Sequence, residues 1–252
     1  MMQDAFSRTR LLMGNKALQR LQQSRVAVFG VGGVGGYATE VLARSGVGEL
    51  HLVDNDRVCT TNLNRQLLAL TSNIGQLKVD VAASRIRDIN PSCKVYTYPM
   101  FYLPDNADSF DLSRFDYVVD CIDTVSAKLE LIRRCHRLGT PIISSMGAAN
   151  KFDATAFKVS DITNTSTDPL AKVIRKKLRK EGIEHLKVVF SEEMPSTPLP
   201  DDTEPLCAFM ERCPDRDTCK QTQRRSIPAS NAFVPAAAGI VLGGEVVKDL
   251  IR

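Results

Sequence analysis

The sequence predicts an α/β protein with a doubly wound, mainly parallel β-sheet. Short apolar runs alternate with helix-periodic segments through the first 160 residues, and strands that alternate with crossover helices favour a parallel sheet. A glycine-rich turn directly follows the first apolar run, which is typical of a strand that passes into a helix. No internal repeat or low-complexity tract interrupts this alternation.

Each element of the first half follows from its local pattern. Residues 25–30 are an apolar run that ends in glycine, the pattern of a buried strand. Further strands are predicted at residues 49–54, 94–98, 116–120 and 141–145, and helices at residues 34–45, 79–89 and 125–138. Asn90-Pro91 ends the second of these helices, because a proline disfavours helical geometry in the residue before it. This order of elements is Rossmann-like.

The pattern changes after Gly147. Two additional C-terminal strands, at residues 155–159 and 186–190, flank a helix with Asp168 as its cap, Pro169 in its first turn and Gly182 at its exit. Residues 192–228 are rich in Pro, Asp, Thr and Arg and show no periodicity. A segment of that length without elements is either disordered or a functional loop.

The C-terminal segment is uncharged from residue 227 to residue 244, which is nearly the length of a membrane span. However, Pro228, Ser230 and Asn231 interrupt it, and Glu245 follows at once. Pro235 suits the first turn of a helix, and the glycines and alanines after it suit close packing. A buried C-terminal helix is therefore predicted rather than a membrane anchor, and membrane association is not expected.

Composition sets broad limits on function. The 252 residues are 43% hydrophobic and 25% charged, which excludes a disordered or fibrous chain. The net charge of +4 is too small to indicate a nucleic-acid partner by itself. None of the seven cysteines forms a C-x-x-C pair, and the N-terminus lacks the apolar core of a signal peptide. A cytoplasmic protein is expected.

The strongest local motif is Gly30-Val-Gly-Gly-Val-Gly35, between a predicted strand and a predicted helix. Glycines allow the backbone to approach a phosphate, and the helix N-terminus supplies N–H groups and positive potential. Asp54 ends the next strand, where a carboxylate accepts hydrogen bonds from ribose hydroxyls. The motif alone leaves three alternatives open, namely a dinucleotide site, an ATP site and a glycine turn without a ligand.

The cationic residues distinguish these alternatives. A triphosphate carries roughly four negative charges and requires Arg or Lys side chains and a divalent ion, whereas a helix N-terminus largely accommodates a pyrophosphate. Arg65 and Lys78 follow the ribose-type carboxylate, and Asp123 closes the fourth strand, where it can hold Mg²⁺. A solvated surface lysine and a helix-capping aspartate remain the alternatives for Lys78 and Asp123.

Four motifs in order carry a family resemblance: GVGGVG, LVDNDRVCTTNLNRQ, Lys78 and DCID. The chain resembles the ThiF/MoeB/HesA superfamily of ubiquitin-activating-type adenylating enzymes. The segments ISSMGAANKFDATAFKVSDI, TDPLAKVIRKKLRKEGI and SNAFVPAAAGIVLGGEVV closely resemble one branch, the tRNA threonylcarbamoyladenosine dehydratases. The resemblance implies a single adenylation domain over residues 1–252. Residues 1–160 would form its nucleotide-binding part, and residues 161–252 its C-terminal part.

The resemblance also implies the site residues. The nucleotide would be bound by the glycine turn and by polar side chains that follow it: Gly30, Gly32, Gly33, Gly35, Asp54, Asp56, Asn62, Arg65, Gln66 and Lys78. Four of the implied residues would be catalytic: Arg8, Arg65, Lys78 and Asp123, with Asp123 also holding Mg²⁺. The superfamily's homodimer sends an N-terminal arginine into the partner's site, which implies Arg8, with Arg10 as the fallback. A mobile terminal charge is the alternative for Arg8.

The activity implied by the resemblance is the ATP-dependent cyclisation of threonylcarbamoyladenosine in tRNA, through adenylation of its carboxylate. A run of basic residues in one predicted helix then becomes a natural contact for the RNA backbone: Lys172, Arg175, Lys176, Lys177, Arg179 and Lys180. A solvated helix face is the alternative for that run. Activation of a ubiquitin-like sulfur-carrier protein, an NAD-dependent oxidoreductase and a non-catalytic nucleotide sensor remain the competing functions.

The cysteines and histidines indicate neither a zinc site nor a catalytic triad. The absence of C-x-x-C pairs means that no structural zinc is expected. The long loop contains Cys207, Cys213 and Cys219. Because superfamily relatives can carry an acyl-accepting cysteine in such a loop, a sulfur-transfer protein remains a candidate partner. His51, His136 and His185 are isolated in the sequence and suggest no catalytic triad.

Overall fold

The computed structural model describes residues 5–199 and 228–252. These residues form a seven-stranded sheet in the order β3-β2-β1-β4-β5-β7-β6, which is parallel except for β6. Its strands are β1 (Arg25–Phe29), β2 (Glu49–Val53), β3 (Lys94–Tyr98), β4 (Tyr117–Asp120), β5 (Ile142–Ser145), β6 (Phe157–Asp161) and β7 (Lys187–Ser191). The longer helices are α1 (Ser7–Gln23), α2 (Gly35–Ser45), α3 (Lys78–Ile89), α4 (Val125–Leu138), α5 (Pro169–Lys180) and α6 (Val234–Ile251).

Helices cover both faces of the sheet because its interior strand β1 is apolar on both sides. Val26 and Val28 of β1 pack with α1, α2, α3 and α6, whereas Ala27 and Phe29 pack on the opposite face, with α4. Helix α5 packs against α4 and β7 in a third apolar cluster. The predicted α/β class and the doubly wound, mainly parallel sheet are thereby confirmed.

The strand order reverses between β1 and β4. The chain moves from β1 through β2 to β3 in one direction, and β4 and β5 lie on the other side of β1. Open α/β sheets bind ligands outside the carboxyl ends of the strands at such a switch point. Residues that follow β1, β2 and β4 are therefore brought to one crevice.

Two parts of the pattern differ from the sequence prediction. Strand β6 begins at residue 157 rather than 155, because residues 154–156 form a 3₁₀ turn in which the Asp153 carboxylate accepts a hydrogen bond from Thr155 N. The N-terminal helix α1 has no counterpart among the predicted elements. It is kinked at Gly14 (φ +84°) and buries Leu18 and Leu21 in the core.

Helix α6 packs closely against α2. A Cβ added at Gly239 would lie 2.3 Å from Val34 O, and one added at Gly243 would lie 2.8 Å from Val41 Cβ. Only glycine allows this approach, which confirms the predicted buried helix with a small-residue face and Pro235 in its first turn. None of the described helices is both long enough and apolar enough to span a membrane.

Candidate active site

The glycine turn after β1 is closed by contacts that only glycine permits. Gly30 has a φ of +86°, and a Cβ added there would lie 2.8 Å from Cys121 O, beyond the end of β4. A Cβ added at Gly35 would lie 1.8 Å from Gly30 O. At Gly32 the space is open as far as Gln66 Nε2, 3.8 Å from an added Cβ. The turn is therefore tight on its protein side and open towards the crevice, as phosphate binding requires.

Asp54 follows β2 and lies directly beside this turn. Its Oδ2 accepts a hydrogen bond from Val31 N at 2.7 Å, and its Oδ1 accepts one from Asp56 N at 2.8 Å. Burial raises the pKa of Asp54, although the Lys78 charge and the two backbone N–H groups oppose the shift. Each oxygen retains an acceptor lone pair, so the carboxylate has the position and capacity to bind ribose hydroxyls.

Lys78 opens α3, and its side chain is buried. Its Nζ pairs with Asp56 Oδ2 at 2.8 Å, and the Asp56 backbone oxygen accepts a hydrogen bond from Lys78 N. Burial alone would lower the pKa of Lys78, but the nearby Asp54 and Asp56 carboxylates outweigh it, so the pKa is raised. The alternative interpretation of Lys78 as a solvated surface lysine is therefore wrong. The amine is a buried, protonated cation beside the Asp54 and Asp56 carboxylates that follow β2.

Residues 59–66 form the wall that follows Asp54 and Asp56. The Asn62 side chain is buried and accepts a hydrogen bond from Cys59 N, so it shapes the turn itself. Arg65 is half-buried, and its Nη1 donates to Thr61 O at 2.7 Å and to Asn64 Oδ1 at 3.0 Å. Gln66 is buried against Gly32. The structure brings the Gln66 side chain to the glycine turn, together with the Arg65 backbone, whose oxygen lies 3.8 Å from a Cβ added at Gly33. It gives Asn62 a local structural contact.

The turn between β4 and α4 rests on a buried ion pair that the sequence did not reveal. Lys128 Nζ donates to Asp120 Oδ2 at 2.7 Å and to Ser144 Oγ and Ser145 O at 3.0 Å, and both charged side chains are 0% exposed. Asp120 Oδ1 accepts a hydrogen bond from Ile122 N at 3.0 Å. The pair therefore fixes the turn that presents Asp123.

Asp123 itself is exposed beyond the end of β4. The residue that caps α4 is Thr124, without a side-chain capping bond, so the capping alternative for Asp123 is wrong. Among residues 5–199 and 228–252 no group of three or more His, Cys, Asp or Glu side chains is placed to hold a metal ion. A single exposed carboxylate fits Mg²⁺, which takes one or two carboxylates and otherwise binds water and substrate phosphates.

A short segment before α6, residues 228–233, crosses between the two sides of the crevice, and we call it the strap. The Asn64 side chain donates to Ser230 O at 3.3 Å. On the other side, Asn150 exchanges two hydrogen bonds with Ala229, and Asn231 Nδ2 donates to Lys151 O at 2.9 Å. Just beyond the strap, Pro235 Cβ lies 3.2 Å from a Cβ added at Gly33. The sequence pattern placed the strap residues only in the uncharged segment from residue 227 to residue 244.

Arg8 lies away from the crevice of its own chain. It is exposed on the first turn of α1, close to Phe6, whose ring lies 3.5 Å from a Cβ added at Gly46. Gly46 ends α2, so the 11-residue length of that helix, about 16 Å, separates it from the glycine turn. The structure does not bring Arg8 to the predicted site within one chain.

The basic helix is α5, and its charges do not all face solvent. Ala171, Ile174 and Leu178 form its buried stripe, whereas Leu170, which the pattern assigned to that stripe, is only half-buried. Arg175 donates to Ile162 O and Thr165 O and is a structural residue. Five basic side chains are exposed: Lys172, Lys176, Lys177, Arg179 and Lys180. Cys207, Cys213 and Cys219 lie outside the described residues.

Comparison with known proteins identifies this arrangement. The model of the ThiF family matches residues 6–251. The tRNA threonylcarbamoyladenosine dehydratase of Bacillus subtilis is 48% identical over 248 residues, which cover 98% of this chain and 94% of that protein. The chain belongs to the ThiF family, in the branch of the tRNA threonylcarbamoyladenosine dehydratases.

Two further comparisons agree with that assignment. The tRNA threonylcarbamoyladenosine dehydratase of Escherichia coli is 40% identical over 212 residues, 81% of this chain and 78% of that protein. The crystal structure of the Escherichia coli enzyme in complex with ATP matches with a TM-score of 0.83 at 33% identity, over 100% of this chain and 97% of that one. The resemblance seen in the motifs is thus confirmed over nearly the whole chain.

Proposed function

We propose that this protein catalyses the ATP-dependent cyclisation of threonylcarbamoyladenosine in tRNA. The observation that carries the proposal is the group formed by the open glycine turn, the Asp54 acceptor and the buried Lys78 cation. It lies at the switch point of a sheet that matches the ATP complex of a named dehydratase. An NAD-dependent oxidoreductase would not account for the Lys78 cation or for Arg65, because a helix N-terminus largely accommodates the pyrophosphate of a dinucleotide.

The chemistry divides into two substitutions. A carboxylate oxygen of the threonyl group attacks the α-phosphorus of ATP, and pyrophosphate leaves. A nucleophilic group of the same side chain then attacks the activated carbonyl carbon, loses its proton and expels AMP, which carries away the carboxylate oxygen. The nucleoside is left one water lighter. Lys78 and Arg65 would stabilise charge on the phosphate oxygens, and Asp54 would orient the ribose.

Asp123 would hold Mg²⁺, which when bound would neutralise part of the triphosphate charge. The fixed β4–α4 turn would keep that carboxylate at the carboxyl end of β4. Replacement of Asp123 by alanine should abolish turnover. Replacement of Asp111, which is also exposed and lies in a separate surface turn, should leave it intact. Unchanged activity of Asp123→Ala would remove the metal assignment.

The direct test is mass spectrometry of tRNA nucleosides after incubation with the protein, ATP and Mg²⁺. Loss of one water from threonylcarbamoyladenosine is the expected result, and an unchanged nucleoside mass would refute the proposal. The competing function, activation of a sulfur-carrier protein, is separated by ATP–pyrophosphate exchange. Stimulation by such a carrier, and not by modified tRNA, would favour the competitor and a sulfur-transfer partner.

We further propose a cytoplasmic homodimer in which Arg8 completes the partner's site. Leu11 and Leu12, next to Arg8, are 89% and 87% exposed, and a second copy would cover them. Arg8→Ala and Asp123→Ala should each be inactive alone. Mixed dimers should recover about a quarter of the wild-type activity, because half the dimers are mixed and each has one intact site. No recovery would show that Arg8 does not act across the dimer.

The exposed cations of α5 are proposed to contact the tRNA backbone. Each phosphate contact that is removed should lower the slope of log affinity against log salt concentration by about 0.7–0.9. Lys176→Ala/Lys180→Ala should therefore reduce the slope by about 1.5, while ATP affinity stays unchanged. Lys94→Ala/Lys158→Ala, two exposed lysines on strands β3 and β6, is the matched control. An equal reduction in both variants would indicate a general charge effect.

A further inference from the structure

Two aromatic side chains stand at the mouth of the crevice and have no role in the proposed nucleotide site. Phe152 follows β5 in the loop that carries Lys151, and Phe233 is the last residue of the strap. Their rings form a T-shaped pair with centroids 5.2 Å apart and an interplanar angle of 89°. Phe152 is 75% exposed and Phe233 is 42% exposed. In a T-shaped pair the ring that contributes its edge keeps both of its faces free of the other ring.

The backbone under this pair is held at several points. Phe152 N donates to Glu193 Oε1 at 2.7 Å, and Phe233 N donates to Asn231 Oδ1 at 3.2 Å. The strap is itself tied to Asn150 and Lys151. Exposed aromatic rings on so well-anchored a backbone lose little conformational entropy when they bind a ligand.

The position of the pair follows from the contacts of its neighbours. Pro235, two residues after Phe233, packs on the glycine turn at Gly33. Three residues before Phe233, Ser230 accepts a hydrogen bond from Asn64 in the wall that carries Arg65. The rings therefore lie close to the glycine turn, beside the place where the phosphates of a nucleotide would lie.

The surroundings of the rings favour a neutral aromatic ligand over a phosphate group. Lys151, which precedes Phe152 in the chain, turns its Nζ inwards to Gly147 O at 2.7 Å and Asp168 Oδ2 at 2.9 Å. The carboxylates of Asp153 and Glu193 accept backbone hydrogen bonds beside Phe152. The rings thus offer an apolar π-surface with no exposed cation of its own loop beside it, whereas bases of single-stranded RNA loops stack on such surfaces.

We infer that Phe152 and Phe233 form a stacking platform for the purine base of the modified adenosine in the RNA substrate. This inference rests on the proposed function, because tRNA is the substrate that brings an unstacked base to this crevice. Stacking would hold the purine at the crevice mouth while its threonyl carboxylate reaches the α-phosphorus. Phe152 and Phe233 are then positioning residues and take no part in bond making.

The test uses the full-length protein and an anticodon stem–loop RNA that contains threonylcarbamoyladenosine, with affinity measured by fluorescence anisotropy in the absence of ATP. Phe152→Leu and Phe233→Leu remove the π-face but keep an apolar side chain. Each should weaken binding by about 5- to 150-fold, the fold-change that corresponds to one stacked base. Phe152→Tyr should bind as the wild type does, and ATP affinity should be unchanged in every variant.

A second RNA with an abasic nucleotide at the same position isolates the base. The wild type should bind this RNA more weakly, and Phe152→Leu should cause no further loss, because the two changes remove the same contact. An equal loss with both RNAs would overturn the platform. Leu138→Ala is the matched control, since Leu138 is a comparably exposed apolar residue at the far end of α4.

Two other results are distinguishable. If Phe152→Leu binds RNA normally but converts the dimer to a monomer in sedimentation, the rings contact a second copy of the chain and the inference fails. If the wild type does not dehydrate the nucleoside yet binds the RNA in a Phe152-dependent way, the proposed function fails and the platform stands. Normal dehydration and normal binding by both leucine variants would overturn the platform alone.

Discussion

Replacing Lys128 by methionine would remove one charge from the buried pair beneath the β4–α4 turn while nearly conserving side-chain volume. The variant leaves the fully buried Asp120 carboxylate, the Ser144 hydroxyl and the Ser145 carbonyl without the amine that now donates to all three. Removing one partner of a buried ion pair costs about 3–5 kcal/mol, because the other charge stays buried and uncompensated. For a domain of this size the melting temperature should fall by roughly 6–20 °C.

The measurement is urea unfolding followed by circular dichroism, alongside the pyrophosphate-exchange rate at a temperature where the variant is folded. Lys172→Met, an exposed lysine of α5, is the control and should change stability by less than about 0.5 kcal/mol. The double variant Asp120→Asn/Lys128→Met should be more stable than Lys128→Met, since it removes the unpaired charge. A Lys128→Met cost below about 1 kcal/mol, or a double variant no better than the single one, would refute this reasoning.

Three further outcomes are expected. Gly35→Ala should lower the free energy of unfolding by at least the roughly 1–3 kcal/mol of an overpacked site and abolish ATP binding, because the added Cβ would lie 1.8 Å from a backbone carbonyl oxygen. Gly36→Ala, where the nearest atom is 3.7 Å from the added Cβ, is the control in calorimetry. On acidification, ATP affinity should fall at a pH above the ordinary titration range of aspartate, because the raised pKa of Asp54 means that this ribose acceptor is protonated at a higher pH. In titration calorimetry, Asp54→Asn should bind ATP weakly and without that pH dependence. An identical pH profile of ATP affinity in both proteins would contradict the expectation. Gly239→Val should destabilise the α2–α6 contact, whereas Gly244→Ala, with nothing within 4 Å, should gain up to about 1 kcal/mol; equal melting temperatures would contradict both.

The sequence predicted the sheet well where local patterns decide the structure. The run that became β1 is apolar on both faces, so its burial needed no knowledge of the neighbours, and the glycine turn between β1 and α2 has a local signature. The kinked helix α1 was not predicted, because Gly14 interrupts its apolar periodicity and only Leu18 and Leu21 of this helix are buried. Its stability depends on long-range packing, which local periodicity does not report.

The candidate site was predicted unevenly for a similar reason. Asp54 and Lys78 follow motifs of fixed spacing, so their positions at the crevice were accessible from sequence. Lys128 lies within a helix of mixed charge and resembles a solvated lysine, since its burial depends on Ser144 from a strand 16 residues away. The strap was hidden because its role consists of hydrogen bonds to residues about 80 and 166 positions distant.

Two buried lysine–aspartate pairs at this edge of the sheet share one structural role. Lys128 pairs with Asp120 behind the turn of Asp123, and Lys151 pairs with Asp168 behind the loop of Phe152. Each lysine also donates to a backbone carbonyl at or just beyond the end of β5, Ser145 O for Lys128 and Gly147 O for Lys151. Buried carbonyls need a hydrogen-bond partner, and apolar side chains would supply none. Because buried pairs add little net stability, we attribute both to the ordering of irregular backbone, which holds the proposed metal carboxylate and the stacking platform in place.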